Sequence, residues 1–313
     1  MSRTRAWLWL AAWLFTTALV LLLASRVDAR LLGRVLQQAD FRWLVAAVAS
    51  NVLIIPFGSR QWSAFLPGAS PVPPRRLFEL FAFTSVANNT TPSIMGHVTG
   101  VLLLGAEPGV GRAAALSVLA LDQIAVGMLK LAVLVGAALL VPLPAWMRHG
   151  FLALAVTVAV LLTLVLVAAI QHNRVNALKS HAGRAQWIRP ALDLLGRWTR
   201  DLEARRTPRR FARGLGWAAA IKGAEAVAIV AIQRAFGLGL PPTATILVLA
   251  ATSLATFVPF TPANIGTYEA STYAAYRAIG LPSETALGLA LAQHVCQLVP
   301  AIGVGYLLLT ARR

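Results

Sequence analysis

Two short polar stretches hold most of the side chains able to do chemistry in a chain of 313 residues that is 58% apolar. The first reads Thr91-Pro92-Ser93-Ile94-Met95-Gly96 and is followed by His97. The second reads Thr261-Pro262-Ala263-Asn264-Ile265-Gly266 and is followed by Thr267, Tyr268 and Glu269. Each interrupts an apolar run, 77–104 and 243–276 respectively. Proline removes a helix hydrogen bond and clashes with the preceding turn. Asparagine and threonine, as in Asn88-Asn89-Thr90-Thr91, offer the backbone competing partners. Both runs are therefore expected to break partway along. A half-helix restarting after Pro92 or Pro262 points unpaired N–H groups into the interior, and such ends attract anions, phosphates included.

Other ionisable groups stand alone inside apolar runs, where they are costly and usually functional. Glu269 follows Pro262 by seven residues and reads either as a ligand of the site or as a helix cap. His97 reads equally as a structural histidine or a substrate contact. Lys222 and Glu225, spaced i, i+3 on one helix, are expected to pair. Asp122 and Lys130, eight positions apart, each need a partner from another helix. Arg60, near the end of a run, can snorkel to phosphates.

Standard catalytic signatures are missing. There is no nucleophile elbow, phosphate-binding loop, dinucleotide fingerprint or His-Glu-x-x-His zinc motif. The five histidines lack ligand spacing, and Cys296 has no partner for a disulfide or a cysteine metal site. No catalytic residue, metal or cofactor is expected on this reading.

The elements that must position these residues are membrane helices. Only 12% of residues are charged, and several apolar runs reach the ~20 residues that cross a ~30 Å hydrocarbon core. The runs are continuous rather than alternating, so the fold class is an all-α polytopic membrane protein, a single transmembrane domain over 1–313. Full spans are expected at 6–24, 43–66, 113–141, 151–170, 214–236 and 285–309, six in all, with the two proline-broken runs as re-entrant hairpins. The first run is read as a retained span, with Val27-Asp28-Ala29 as a cleavage-like alternative. Residues 26–42, with four arginines among apolar residues, read as a helix lying in the interface. Residues 67–76 read as a proline-rich loop.

The two broken runs share the pattern Thr-Pro-x-x-(Met/Ile)-Gly at an offset of 170 residues. Each is followed by a Gly/Pro turn and then a long apolar helix containing Asp122-Gln123 or Gln293-His294. The order of span, broken run, turn and span therefore recurs, giving repeat one at about 43–141 and repeat two at about 214–309. The formal charge of +17 lies mainly between apolar runs, and eleven Lys/Arg fall in the loop 171–213. That placement reads as topology signal and attraction to anionic phospholipid headgroups, not as nucleic-acid binding. With re-entrant hairpins and the N-terminus inside, 19 basic residues lie inside and 7 outside. The alternative of eight full spans gives 17 and 9, with parallel rather than inverted repeats.

The second break extends as Pro262-Ala-Asn-Ile265-Gly266-Thr-Tyr268-Glu269. It resembles the Pro-Gly-Gly-Leu-Gly-x-x-Glu motif of the flippase-like family named for the transmembrane region of lysylphosphatidylglycerol synthetase. Arg60-Gln-Trp62 is similar to that family's Arg-Trp, and Pro92-Ser-Ile-Met-Gly96 to its first Pro-x-x-x-Gly. Where the family's Glu-x-x-Arg is expected after that glycine, this chain has His97-Val-Thr-Gly100. An aminoacyl-transferase domain is not expected. The resemblance implies a polytopic protein of a bacterial-type inner membrane that moves lipids between leaflets.

The expected function is a lipid flippase-like transporter, its substrate a membrane lipid with an anionic or phosphate-bearing headgroup. Its site is expected among Arg60, Pro92, Gly96, His97, Asp122, Pro262, Asn264, Gly266, Tyr268 and Glu269. Two proline-broken helices meeting at a repeat interface form a known kind of transporter site. The alternatives are an intramembrane lipid-modifying enzyme using Glu269 or His97 as acid or base, and a non-catalytic partner of a lipid or glycan pathway enzyme. Both termini are expected to be cytoplasmic, and the oligomeric state is left open.

Overall fold

A computed structural model describes residues 17–18, 21–23, 25–66, 72–91, 93–170, 208–257 and 261–311. Pro92 and most of the first apolar run lie outside these residues, as does the basic loop over 171–207.

The described chain is helical, with no strand. In order the helices are α1 Ala29–Gln37, α2 Phe41–Val52, α3 Ile54–Phe65, α4 Pro74–Thr90, α5 Ser93–Gly105 and α6 Gly111–Leu140. They continue as α7 Ala145–Ile170, α8 Pro208–Ala235, α9 Pro242–Ala255, a 3-10 turn Pro262–Asn264, α10 Thr267–Ala278 and α11 Ser283–Thr310. Helix α1 starts where Asp28 Oδ1 accepts the amide of Arg30 at 2.7 Å, an N-cap bond. It fits the amphipathic helix expected before the second apolar run.

Among the described residues, five helical stretches are long and apolar enough to cross a bilayer: Phe41–Phe65, Gly111–Leu140, Ala145–Thr163, Pro208–Ala235 and Ser283–Leu308. This chain is a polytopic α-helical membrane protein. The five correspond to the five full spans expected after the first apolar run. Their outer faces carry bare apolar residues such as Leu139, Leu152 and Val156, each more than half exposed, as a lipid-facing surface requires. Hydroxyls on these helices fold back onto their own backbone. Thr157 bonds the carbonyl of Ala153 at 2.9 Å, so it adds little polarity to that surface. The run 43–66 is expected as one helix and forms one stretch, Phe41–Phe65, with a local irregularity at Leu53 between α2 and α3. Pro56 lies four residues after Val52, whose carbonyl its ring displaces and whose helix bond it cannot make.

The two broken runs each form a pair of short helices folded back on one another. In the first pair, a Cβ at Gly96 would lie 2.6 Å from the Cα of Asn88, and one at Gly100 would meet Thr84. The paired positions run in opposite directions, so α4 and α5 are antiparallel. Their far ends are clasped by Arg76 and Glu107 at 2.7 Å. In the second pair, Gln233 bonds both Thr245 on α9 and Tyr276 on α10, which places these two arms antiparallel as well. The arms hold 12 to 17 residues, or about 18–25 Å at 1.5 Å per residue, short of a ~30 Å core.

Two apolar cores form, one beside each pair. Trp62, Phe65, Leu77, Leu80, Leu104 and Val118 surround the first. Ile232, Leu247, Val248, Leu254, Tyr276 and Leu289 surround the second. The halves are also interleaved. Helix α11 packs on α4 of the first pair, and α6 packs on α9 of the second. Likewise α8 packs on α2 and α3, its counterparts in chain order.

Candidate functional site

The second break is longer than the first and less regular. Thr91 and Pro92 alone separate α4 from α5, whereas residues 256–266 separate α9 from α10. Ala263 and Asn264 both adopt left-handed backbone, with φ of 54° and 57°. Non-glycine residues avoid that region, at about 1 kcal/mol or more each. Gly266 follows at φ 87°, a conformation for which glycine is suited.

What holds this strained tip is a set of buried side chains on α10 and α11. Glu269 reaches back to the start of its own helix, where Oε2 accepts the amide of Gly266 at 2.7 Å. Its other oxygen, Oε1, lies 2.6 Å from His294 Nδ1. The far side of that ring, Nε2, lies 2.9 Å from the carbonyl oxygen of Ala263. His294 is 3% exposed and Glu269 is 9%. Tyr268 stacks on the His294 ring at 4.5 Å, with planes 19° apart. Gln293 donates from Nε2 to the Tyr268 hydroxyl at 2.9 Å. One helix thus braces the tip through two adjacent residues, Gln293 and His294.

Beside this tip lies a small polar cavity, with about 30 Å³ accessible to the centre of a water-sized molecule. Tyr268, Gln293 and Gln297 form one wall. Lys222 and Glu225 on α8 face them, with Asn51 on α2, Thr252 on α9 and Thr256 just past its end. Lys222 Nζ and Glu225 Oε2 are 2.5 Å apart, the pairing expected from their spacing. Asn51 Nδ2 donates to the Cys296 carbonyl at 3.1 Å, tying α2 to α11. Lys130 reaches from α6 to Thr256 Oγ1 at 3.0 Å, the partner on another helix that it needed. Two lysines and one glutamate therefore share one polar gap inside an apolar bundle.

The other expected site residues are distributed unevenly. Glu269, Tyr268, Gly266 and Asn264 are brought together at the second tip, with Pro262 in the 3-10 turn. Gly96 is buried in the first pair, where its missing side chain lets α5 touch α4. The first pair also touches the second tip, through α4. His97 is half-buried and close enough to Lys130 to feel its charge. Asp122 is buried on α6, where it accepts from its neighbour Gln123 at 3.1 Å and lies beside the Trp62 side chain of α3, a partner on another helix. Arg60 is exposed on α3 and lines neither tip nor cavity. Asn51, Lys130, Gln293, His294 and Gln297 were not among the expected site residues. The i, i+4 spacing of Gln293 and Gln297 on an apolar helix was the available signal.

The chain matches the family described as the lysylphosphatidylglycerol synthase TM region over residues 9–305, nearly its whole length. It belongs to that family. No curated protein and no solved structure matches it. Membership in the lysylphosphatidylglycerol synthase TM family points to a role connected with membrane lipids. Among the described residues, no cluster of three His, Cys, Asp or Glu side chains could hold a metal ion.

Proposed function

We propose that this protein is a flippase-like transporter that passes the headgroup of a phosphate-bearing membrane lipid through the cavity between α2, α8, α9, α10 and α11. The observation that carries this reading is the cavity itself. Paired Lys222 and Glu225, with Tyr268 and Gln293 opposite, form a polar lining inside a helix bundle whose outside is apolar. Such polarity within a membrane bundle is costly unless it serves passage or binding. The acyl chains would stay in lipid while the headgroup crosses.

Two features support an arrangement of inverted repeats. Both broken runs return to where they began, as a re-entrant hairpin does. The packing between halves is also reciprocal, α11 on α4 and α6 on α9. We place both termini and the basic segment 171–213, whose last six residues open α8, on the cytoplasmic face of a bacterial-type inner membrane, on the balance of basic residues. There the loop would meet anionic headgroups.

The alternative of a lipid-modifying enzyme using Glu269 as acid or base fits the geometry less well. Both nitrogens of His294 and both oxygens of Glu269 are already engaged, with the Tyr268 ring stacked on the histidine. A general base needs a free atom within reach of its substrate.

Purified protein in vesicles containing phosphatidylglycerol with a fluorescent headgroup tests the proposal. Wild type should make the inner-leaflet dye accessible to an external quencher. A Lys222→Met, Glu225→Met variant, which removes both charges and keeps the volume, should slow this at least about tenfold, the effect of ~1.4 kcal/mol. Equal rates for wild type, variant and empty vesicles would overturn it.

A further inference from the structure

Every polar atom of the His294–Glu269 pair has a partner in the structure, and these partners fix how many protons the pair holds. His294 Nε2 faces the carbonyl oxygen of Ala263 at 2.9 Å. A carbonyl can only accept, so Nε2 must carry hydrogen. His294 Nδ1 faces Glu269 Oε1 at 2.6 Å, and two lone pairs do not approach so closely. A second hydrogen must lie between them, on the nitrogen or on the oxygen. Glu269 Oε2 cannot supply it, since that oxygen accepts the Gly266 amide.

A neutral histidine beside an ionised glutamate has one hydrogen for these two contacts. If it sits on Nε2, Nδ1 repels the carboxylate. If it sits on Nδ1, Nε2 repels the Ala263 carbonyl. Only with one more proton are both contacts satisfied, and that proton belongs to the pair rather than to either residue. We infer that His294 and Glu269 form a proton-binding site, and that the folded second tip is its protonated state.

The consequence follows from where the site sits. Ala263 and Asn264 hold left-handed backbone at the tip, and the His294 bond to the Ala263 carbonyl restrains it. When the proton leaves, the remaining hydrogen favours the anionic carboxylate, and the carbonyl is released. The strained turn relaxes. Tyr268, stacked on the same ring, forms part of the cavity wall and moves with it. Proton binding and the shape of the cavity are therefore linked. The folded tip holds one more proton than the relaxed tip, so raising the pH favours the relaxed form.

Other titratable groups lie on the helices around the pair, and variants of the pair separate its response from theirs. On α10, Tyr268 is tied to Gln293, and Tyr276 lies further along against Gln233. Helix α8 presents Lys222 and Glu225, already paired across the cavity. Helix α6 presents Lys130 on Thr256, with half-buried His97 of α5 within reach of its charge. Helix α11 adds Cys296, a turn away and facing Leu44. The neighbouring turns of α2, α4 and α9 present neutral side chains such as Asn51, Asn88 and Thr252.

Within the proposed transport reaction, on which this extension rests, the proton would be the coupling ion. The proton site itself is tested without lipid movement. Hydrogen exchange of the tip peptide 261–267 is followed in detergent-purified protein between about pH 5 and about pH 9, corrected for intrinsic exchange. Wild type should lose protection at least tenfold as pH rises. Glu269→Gln is a mimic of the protonated pair. Its amide donates to Nδ1 and accepts from Gly266 while His294 keeps hydrogen on Nε2, so protection should persist at every pH. His294→Phe, which keeps the stacked ring and binds no proton, should exchange fast throughout. Flat wild-type protection over this range would overturn the inference, as would an unchanged pH response in either variant. If Glu269→Gln fails to fold on gel filtration, wild type against His294→Phe decides. A pH-responsive tip in a protein that moves no labelled lipid would sink the transporter reading and leave the proton site standing.

Discussion

Gly96 and Asn88 lie so close that a methyl group on Gly96 would fall 1.9 Å from the Asn88 side-chain oxygen and 2.6 Å from its Cα. The second distance involves backbone, which cannot swing aside. Gly96→Ala should therefore push α5 away from α4 and cost about 1–3 kcal/mol. Gly136→Ala is the matched control, because nothing lies within 4 Å of its Cβ and the change favours helix. Thermal unfolding in detergent should separate the two. Equal melting temperatures would show that the first pair is not closed this tightly.

Lys222 and Glu225 neutralise one another inside the cavity wall. Removing one partner strands the other charge, whereas removing both does not. Lys222→Met should destabilise the protein more than Lys222→Met with Glu225→Met. A double-mutant cycle on unfolding in detergent should give a coupling of about 1–3 kcal/mol. Additive effects would mean that water already satisfies each charge alone.

Thr256 is the hydrogen-bond partner of Lys130, and among the described residues Lys130 has no carboxylate within 4.0 Å. Thr256→Val should cost about 1.5–3 kcal/mol, as expected for a bond to a charged group. Thr256→Ser keeps the hydroxyl and should recover most of that. A serine variant as unstable as the valine variant would show that methyl packing, not the hydroxyl, sets the effect.

The Arg76–Glu107 clasp joins the ends of the first pair, and Arg76 also meets Glu79 at 3.2 Å. The guanidinium is partly open to water, with side-chain exposure of 36%. Glu107→Gln should therefore cost less than about 1 kcal/mol, and the difference should shrink as salt screens the pair. A large, salt-independent loss would instead mark the clasp as buried in function.

The helical membrane fold was legible because apolar length alone determines it. The paired proline breaks were legible because Thr-Pro and Asn side chains work against a helix wherever they stand. The pairing of Lys222 with Glu225 followed from a spacing of three. His294 was harder to read. It meets Glu269 across 25 positions of sequence, and a single buried histidine in an apolar helix announces no partner. Arg60, read from a family motif and a span end, is exposed on α3, apart from the second tip.

The exchange of helices between the halves, α11 against α4 and α6 against α9, has a consequence for how the chain can be divided. A polypeptide ending after α7 would expose the faces of α4 and α6 that the later helices cover. One beginning at α8 would expose the matching faces of α9 and α11. Neither fragment would be a finished body, and the two should need to be made together in one membrane to become soluble in mild detergent.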